Sequence, residues 1–178
     1  MSTLPPSHNL PLEALDRDGI LHPVTSLAAH MQGTPRIITA GNGVTIRDQN
    51  GREFLDCGAG LWCMNIGYGR EDIAEAAASA MRDLGYFHLF LGHSNEPIIR
   101  LTDKLLTQLK AHPSTANMSK IFYGCSGSDA NDTNYKLVRY YNNLRGKPAK
   151  KKVISRNGAY HGLTMASGSL TGIGSYHQ

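Results

Sequence analysis

The chain is short of cysteine. Cys57, Cys63 and Cys125 are all it has in 178 residues, an odd number with no Cys-x-x-Cys pair. That excludes a disulfide framework and a cysteine-based structural zinc site. Unpaired thiols suit a reducing compartment, so a cytoplasmic setting is expected. No window approaches the ~20 apolar residues of a membrane span. Met1 to Asn9 carries Pro5-Pro6 and no apolar core, so it is not a secretory signal. No Gly-Lys-Ser/Thr stands at P-loop spacing, which argues against nucleoside triphosphate hydrolysis. Charged residues are also few, 18% of the chain with a net charge of +4. The densest basic run, Lys147-Pro148-Ala149-Lys150-Lys151-Lys152, has no interleaved aromatics and reads as a solvated loop, so no nucleic-acid partner is expected. His88 and His93 have no third ligand at useful spacing, and no metal is expected.

What is present describes a globular protein, with 40% hydrophobic residues. Residues 1 to about 20 read as a lead-in with a short helix at Leu12 to Asp16, and His22-Pro23-Val24-Thr25 breaks any regular element. Ile37-Ile38-Thr39-Ala40, Val44-Thr45-Ile46-Arg47 and Glu53-Phe54-Leu55-Asp56 are strand-like. Asn42-Gly43 and Asn50-Gly51 between them predict a small antiparallel meander. A glycine-rich stretch from Cys57 to Arg70 follows, irregular in expectation, and it holds Trp62, the only tryptophan. An aromatic on such a loop can line a pocket or pack beneath it. Two amphipathic helices come next. Ile73, Ala77, Ala80 and Leu84 share a face before Gly85, and Ile98, Leu101, Leu105 and Leu109 share another after Pro97.

The most informative stretch runs from Ile121 to Asn131. Ile121-Phe122-Tyr123 reads as a buried strand ending at Gly124. Ala130, Thr133, Leu137, Tyr141 and Leu144 then follow helical spacing. Ser126 with Asp129 three residues on fits a capping box. Strand, small-residue turn and helix N-terminus together form an anion site, because first-turn N–H groups are free and the helix dipole is positive there. Gly127 allows close approach, and the hydroxyls of Ser126 and Ser128 can donate to phosphate oxygens. Lys152-Val153-Ile154-Ser155 reads as the next buried strand. A strand, a helix and a strand predict a parallel βαβ unit, so the residues after Ser155 should emerge beside Ser126 at the ligand-binding edge. Those residues include Tyr160-His161-Gly162, and a flat ligand with a phosphate arm would suit the place.

Taken together, several blocks resemble one family in its expected order. They are Asp48 to Asp56, then Gly60-Leu61-Trp62-Cys63 through Gly67-Tyr68-Gly69-Arg70, then Ser126-Gly127-Ser128-Asp129-Ala130-Asn131, then Tyr160-His161-Gly162. The resemblance is to the class III, fold type I aminotransferases that use pyridoxal 5′-phosphate, and the Gly-Leu-Trp-Cys block is similar to the ω-aminotransferase branch. It implies an α/β fold: residues 1–70 as lead-in and meander of a small domain, and 71–178 as the start of an incomplete cofactor-binding large domain. It implies transfer of an amino group from an amine or ω-amino acid to a keto acid such as pyruvate, and a homodimer in the full-length form. By position, Ser126, Gly127 and Ser128 would bind the cofactor phosphate, Tyr160 would stack on its ring with His161 alongside, Leu61 and Trp62 would line the substrate pocket, and Phe90, also substrate-binding, would reach the pocket of the partner subunit. Asp129 departs from the family's commoner glutamate but keeps the first turn acidic. Family chains are more than twice as long. The Schiff-base lysine and the aspartate that pairs with the pyridine nitrogen are expected beyond Gln178, which leaves no catalytic residue here and an inactive fragment. Two other readings stay open: a non-catalytic module of this fold, and another fold type I enzyme such as an aminomutase.

Overall fold

Two tight turns shape the first half of the chain. In the computed structural model, which describes residues 11–177, β1 (Ile38–Asn42), β2 (Thr45–Asp48) and β3 (Glu53–Leu55) form an antiparallel sheet in the order β1-β2-β3. Asn42 pairs with Thr45, and Arg47 with Glu53. Gly43 takes a φ of +56° in the first turn, the left-handed conformation that Asn-Gly hairpins require. The second turn closes on Asp48, which is 1% exposed. Its Oδ1 accepts the N–H groups of Asn50 at 2.9 Å and Arg52 at 3.0 Å, while Oδ2 accepts the Arg52 Nε at 2.8 Å. Burial pushes the Asp48 carboxyl up, but the Arg52 side chain and the two turn N–H groups outweigh it and hold the carboxyl below its ordinary range.

Before the sheet lie α1 (Leu12–Gly19) and α2 (Leu27–Gln32). The first runs past the expected end at Asp16, and the break at His22-Pro23-Val24-Thr25 separates the two. The reading of residues 1–10 as lead-in without a signal lies outside the described residues. After the sheet come α3 (Ala59–Trp62), a single turn, and α4 (Glu71–Asp83).

The chain divides into two compact units between Phe87 and His88. In the second unit, a 3₁₀ turn (Phe90–Gly92) leads to α5 (Glu96–Lys110), whose Asn95 cap accepts the Ile98 N–H at 3.1 Å. The 18-residue α6 (Gly127–Leu144) follows, then α7 (Met165–Leu170). Helix α6 ends as Gly146 predicts. That glycine takes a φ of +69°, its N–H donates to the Asn143 carbonyl at 3.0 Å, and the Lys147 N–H donates to that of Asn142 at 2.9 Å, a complete Schellman motif.

The segments on either side of α6 correct one expectation. Residues 121–123 and 152–155 carry no strand ladder, since the only sheet among the described residues is β1-β2-β3. A strand exists only where a neighbour exchanges backbone hydrogen bonds with it, and neither run meets such a neighbour. Nor are they buried: Phe122 is 68% and Ile154 95% exposed. Tyr123 is tied to α5 instead, through a 2.8 Å hydrogen bond between its hydroxyl and that of Thr102. No hydrophobic residue is buried among the described residues, and the buried polar ones are Asp48, Asn142, Ser167 and Thr171. Hydrogen-bonded hubs, not an apolar core, hold the local structure.

Candidate cofactor site

The first turn of α6 has the geometry its sequence implies. Ser126 is the N-cap, and its Oγ accepts the Asp129 N–H at 3.1 Å. The reciprocal bond reaches one residue further back than in a capping box: Asp129 Oδ2 accepts the Cys125 N–H at 3.0 Å. The N–H groups of Gly127 and Ser128 have no hydrogen-bond partner among the described residues. Two free donors at the positive end of a long helix make a cradle for a doubly charged anion such as a phosphate monoester. Nothing stands within 4 Å of where a Gly127 side chain would begin, so the cradle is open.

The loop carrying Tyr160 and His161 is bonded directly to this turn. Ser128 Oγ accepts the Leu163 N–H at 3.1 Å. Asn131 Nδ2 donates to the His161 carbonyl at 2.8 Å. Asp132 Oδ1 accepts the Thr164 hydroxyl at 2.7 Å and the Ser167 N–H at 2.8 Å. The Thr164 hydroxyl, then the Ser167 N–H, hold the Asp132 carboxyl below its usual range. From the far side, the Thr171 hydroxyl donates to the Gly162 carbonyl at 2.9 Å and accepts the His161 N–H at 3.0 Å. Gly162 is the contact point. Its φ is +126°, and a side chain there would begin 2.9 Å from Ser128 Cα.

Tyr160 stands exposed at the rim, its ring 6.1 Å from that of Tyr176 and tilted by 55°. Ser126, Gly127, Ser128, Tyr160 and His161 are thus brought together. His161 takes part through its backbone, which both loop bonds use. Sequence reading did not single out Asn131 as a tether, nor Asp132, Thr164, Ser167 and Thr171 at all. A signal was available: Ser128, Asn131, Asp132 and Tyr135 fall on one helix face by three-four spacing, and a polar stripe there needs polar partners.

Leu61 and Trp62 lie in the first unit, on α3. This turn is helical in its hydrogen bonds but left-handed in its backbone. Ala59, Gly60, Leu61 and Trp62 have φ values of 45°, 57°, 59° and 66°. Each non-glycine residue there costs about 1–2 kcal/mol. The Trp62 N–H donates to the Gly58 carbonyl at 2.8 Å and the Cys63 N–H to that of Ala59 at 2.9 Å. Asp56 ties the turn at its base. Its Oδ1 accepts the Gly58 N–H at 3.1 Å, and its Oδ2 accepts the Gly60 N–H and the Tyr68 hydroxyl, both at 2.7 Å. The Tyr68 hydroxyl, then the Gly60 N–H, lower the Asp56 carboxyl, and Asp56 in turn raises the Tyr68 phenol. The result is to hold Leu61 and Trp62 out in solvent, 74% and 78% exposed. Strain of this kind collects at functional sites. Phe90, 77% exposed, lies in the second unit on the 3₁₀ turn.

The sequence pattern described as aminotransferase class-III matches residues 27–178. A diaminobutyrate–2-oxoglutarate transaminase of Halomonas elongata is 52% identical over 164 residues, which cover 91% of this chain and 34% of that one. A putrescine–pyruvate aminotransferase of Pseudomonas aeruginosa is 40% identical over 166 residues, 93% of this chain and 35% of that one. Among solved structures, an omega transaminase from Pseudomonas jessenii in complex with PMP superposes with a TM-score of 0.89 at 40% identity, over 95% of this chain and 36% of that one. The chain spans about a third of the length of these relatives.

Proposed function

The chain belongs to the class-III aminotransferases, and from that premise we propose that it supplies the phosphate grip and part of the substrate wall of an ω-aminotransferase. The cofactor is pyridoxal 5′-phosphate, the group this family uses. The observation that carries the reading is the pair of unpartnered N–H groups at Gly127 and Ser128, with the Tyr160 loop bonded to the same turn. These residues fit the group: two backbone donors and the Ser126 and Ser128 hydroxyls for the phosphate, an exposed phenol ring for the pyridine face.

Bound there, the cofactor supplies an electron sink at the carbon that loses the amino group. The chain's own residues do other work. The α6 N-terminus would hold the phosphate, and Tyr160 would lie against the ring. Leu61 and Trp62, presented by the strained turn of the first unit, are offered for the donor's side chain, and Phe90 of the second unit for the pocket of the partner subunit. The reaction is transfer of an amino group from an amine or ω-amino acid to a keto acid such as pyruvate. The named relatives differ in their acceptor, 2-oxoglutarate in one and pyruvate in the other, so the acceptor is given as a class. The catalytic lysine lies outside the 178 residues on this reading, and the full-length form is a homodimer. No described helix is long and apolar enough to cross a membrane, and three exposed, unpaired cysteines fit a cytoplasmic place of action.

Titration of the purified chain with pyridoxal 5′-phosphate, followed by Trp62 emission and by competition with inorganic phosphate, tests the grip. Saturable binding that phosphate displaces and that Ser128→Ala weakens severalfold is expected, without turnover of amine and pyruvate. Binding insensitive to both phosphate and Ser128→Ala would overturn the reading, and sustained transamination by the chain alone would overturn its placement of the lysine.

A further inference from the structure

The turn between α1 and α2 gathers three side chains that the amino-transfer reading does not use. Asp16 comes from α1, His22 from the residue before Pro23, and His30 from α2. Asp16 Oδ2 lies 3.1 Å from His22 Nε2 and 3.0 Å from His30 Nε2. The imidazole rings are 4.4 Å apart and inclined at 52°. One ligand atom from each of the three lies within 4.8 Å of the others. The cluster is sheltered: the side chains of His30 and Asp16 are 11% and 15% exposed, that of His22 34%.

The two histidines meet Asp16 differently. His22 Nε2 is hydrogen-bonded to both carboxylate oxygens, at 3.1 Å each. His30 Nε2 is buried and has no hydrogen-bond partner among the described residues, although the carboxylate is 3.0 Å away. Its ring therefore does not aim an N–H along the line to that oxygen. Buried polar atoms ordinarily have a partner. A nitrogen that faces a carboxylate and a second imidazole without bonding to either is placed as a metal ligand is placed. Two imidazoles and a carboxylate are a recurrent donor set for divalent transition ions, with the remaining position left to solvent. Ligand bonds of about 2.0–2.2 Å in tetrahedral array put ligand atoms roughly 3.3–3.6 Å apart; the carboxylate oxygen already stands 3.0 and 3.1 Å from the two imidazole nitrogens, and all three ligand atoms lie within 4.8 Å.

We propose that Asp16, His22 and His30 bind a divalent transition-metal ion, best matched by Zn²⁺, which clamps α1 to α2 and keeps a solvent-accessible fourth position beside His22. The site is independent of the cofactor grip. It escaped sequence reading because Asp-x5-His-x7-His matches no common ligand spacing, and the attention given to His88 and His93 fell elsewhere. Arg17 Nη1, which donates to the Gly33 carbonyl at 3.3 Å, is a second tie across the same junction.

The test is calorimetric titration of Zn²⁺ into the chelator-treated full chain, its three cysteines alkylated so that thiolates cannot compete. One equivalent of saturable binding is expected, with a raised melting temperature. Affinity should fall by more than about tenfold in His22→Gln and in His30→Gln and should be unchanged in His88→Gln. The Co²⁺-loaded unsubstituted chain gives a readout that needs no variant: the absorption of a four-coordinate nitrogen–oxygen site. Absence of saturable binding, binding that survives both His22→Gln and His30→Gln, or a Co²⁺ spectrum like that of the hydrated ion would each overturn the proposal.

Discussion

Ser128 Oγ accepts the backbone N–H of Leu163 at 3.1 Å, so the loop that carries Tyr160 is fastened to the helical turn whose Gly127 and Ser128 N–H groups have no partner among the described residues. One residue thereby serves two ends. Its backbone N–H is left for an anion, and its side chain fixes where the aromatic rim sits relative to that anion. On the proposed function, this one spacing would set how far the phosphate of the cofactor lies from its ring.

Gly162 tests that spacing. With φ at +126° and Ser128 and Ser167 crowding the place where a Cβ would stand, it cannot take a side chain without moving the loop. Gly162→Ala should cost about 1–3 kcal/mol from backbone strain alone, seen as a fall of several degrees in the melting temperature. The affinity for pyridoxal 5′-phosphate should fall at least severalfold as Tyr160 is displaced. Melting and cofactor titration, done side by side, check both.

The meander, the four longest helices and the α6 cap were all legible in the sequence, because Asn42-Gly43, Ser126 and Gly146 each act through local chemistry. The runs at 121–123 and 152–155 misled, since their β-branched and aromatic residues signal a strand only where a partner strand is present. The left-handed turn at Ala59–Trp62 was illegible for another reason. Gly60 permits it, but the Asp56 carboxylate imposes it, fixed by the Tyr68 hydroxyl twelve residues further on. The Ser128, Asn131 and Asp132 tethers were hidden similarly, as their partners lie 30 or more residues away.

Asp56→Ala should release that turn. Three donors lose their acceptor, and the positive-φ residues relax toward ordinary conformations. Trp62 is the single tryptophan, so its emission and anisotropy report the turn directly, and anisotropy should drop. The pH window follows from the pair. Asp56 has a lowered carboxyl, so its contribution is full above the unfolded value of ~3.9 and is lost as pH falls through the folded value. Tyr68 has a raised phenol, so its contribution is full below ~10 and is lost as pH rises through its folded value. Emission in the parent chain should be constant from about pH 4 to 10, and the plateau should vanish in Asp56→Ala.

Asp48 is the corresponding hub of the meander. Asp48→Ala leaves the Asn50 and Arg52 N–H groups of the turn without their acceptor and frees the Arg52 guanidinium. The β2–β3 turn should fray, and the first unit should melt several degrees lower, within the usual range for loss of a buried hydrogen-bond hub. Amide exchange at Arg52 and Asn50 should quicken while that of α6 is unchanged.

Asp132 makes the link between the two sides of the cofactor site titratable. Its carboxylate accepts from the Thr164 hydroxyl and the Ser167 N–H, and both bonds favour the charged form. The folded value is therefore depressed. The stability it confers is complete above the unfolded aspartate value of ~3.9, and it is lost as pH falls through the lower folded value. Loop docking should hold at neutral pH and loosen only in strong acid, with exchange of the Leu163 and Ser167 amides rising first. Asp132→Asn removes the charge but keeps the size, so its loop should exchange faster at pH 7 and show little further change on acidification. If the two chains gave parallel acid profiles, the carboxylate would not be what fastens residues 163–167 to α6, and the Ser128 and Asn131 bonds would have to hold the loop.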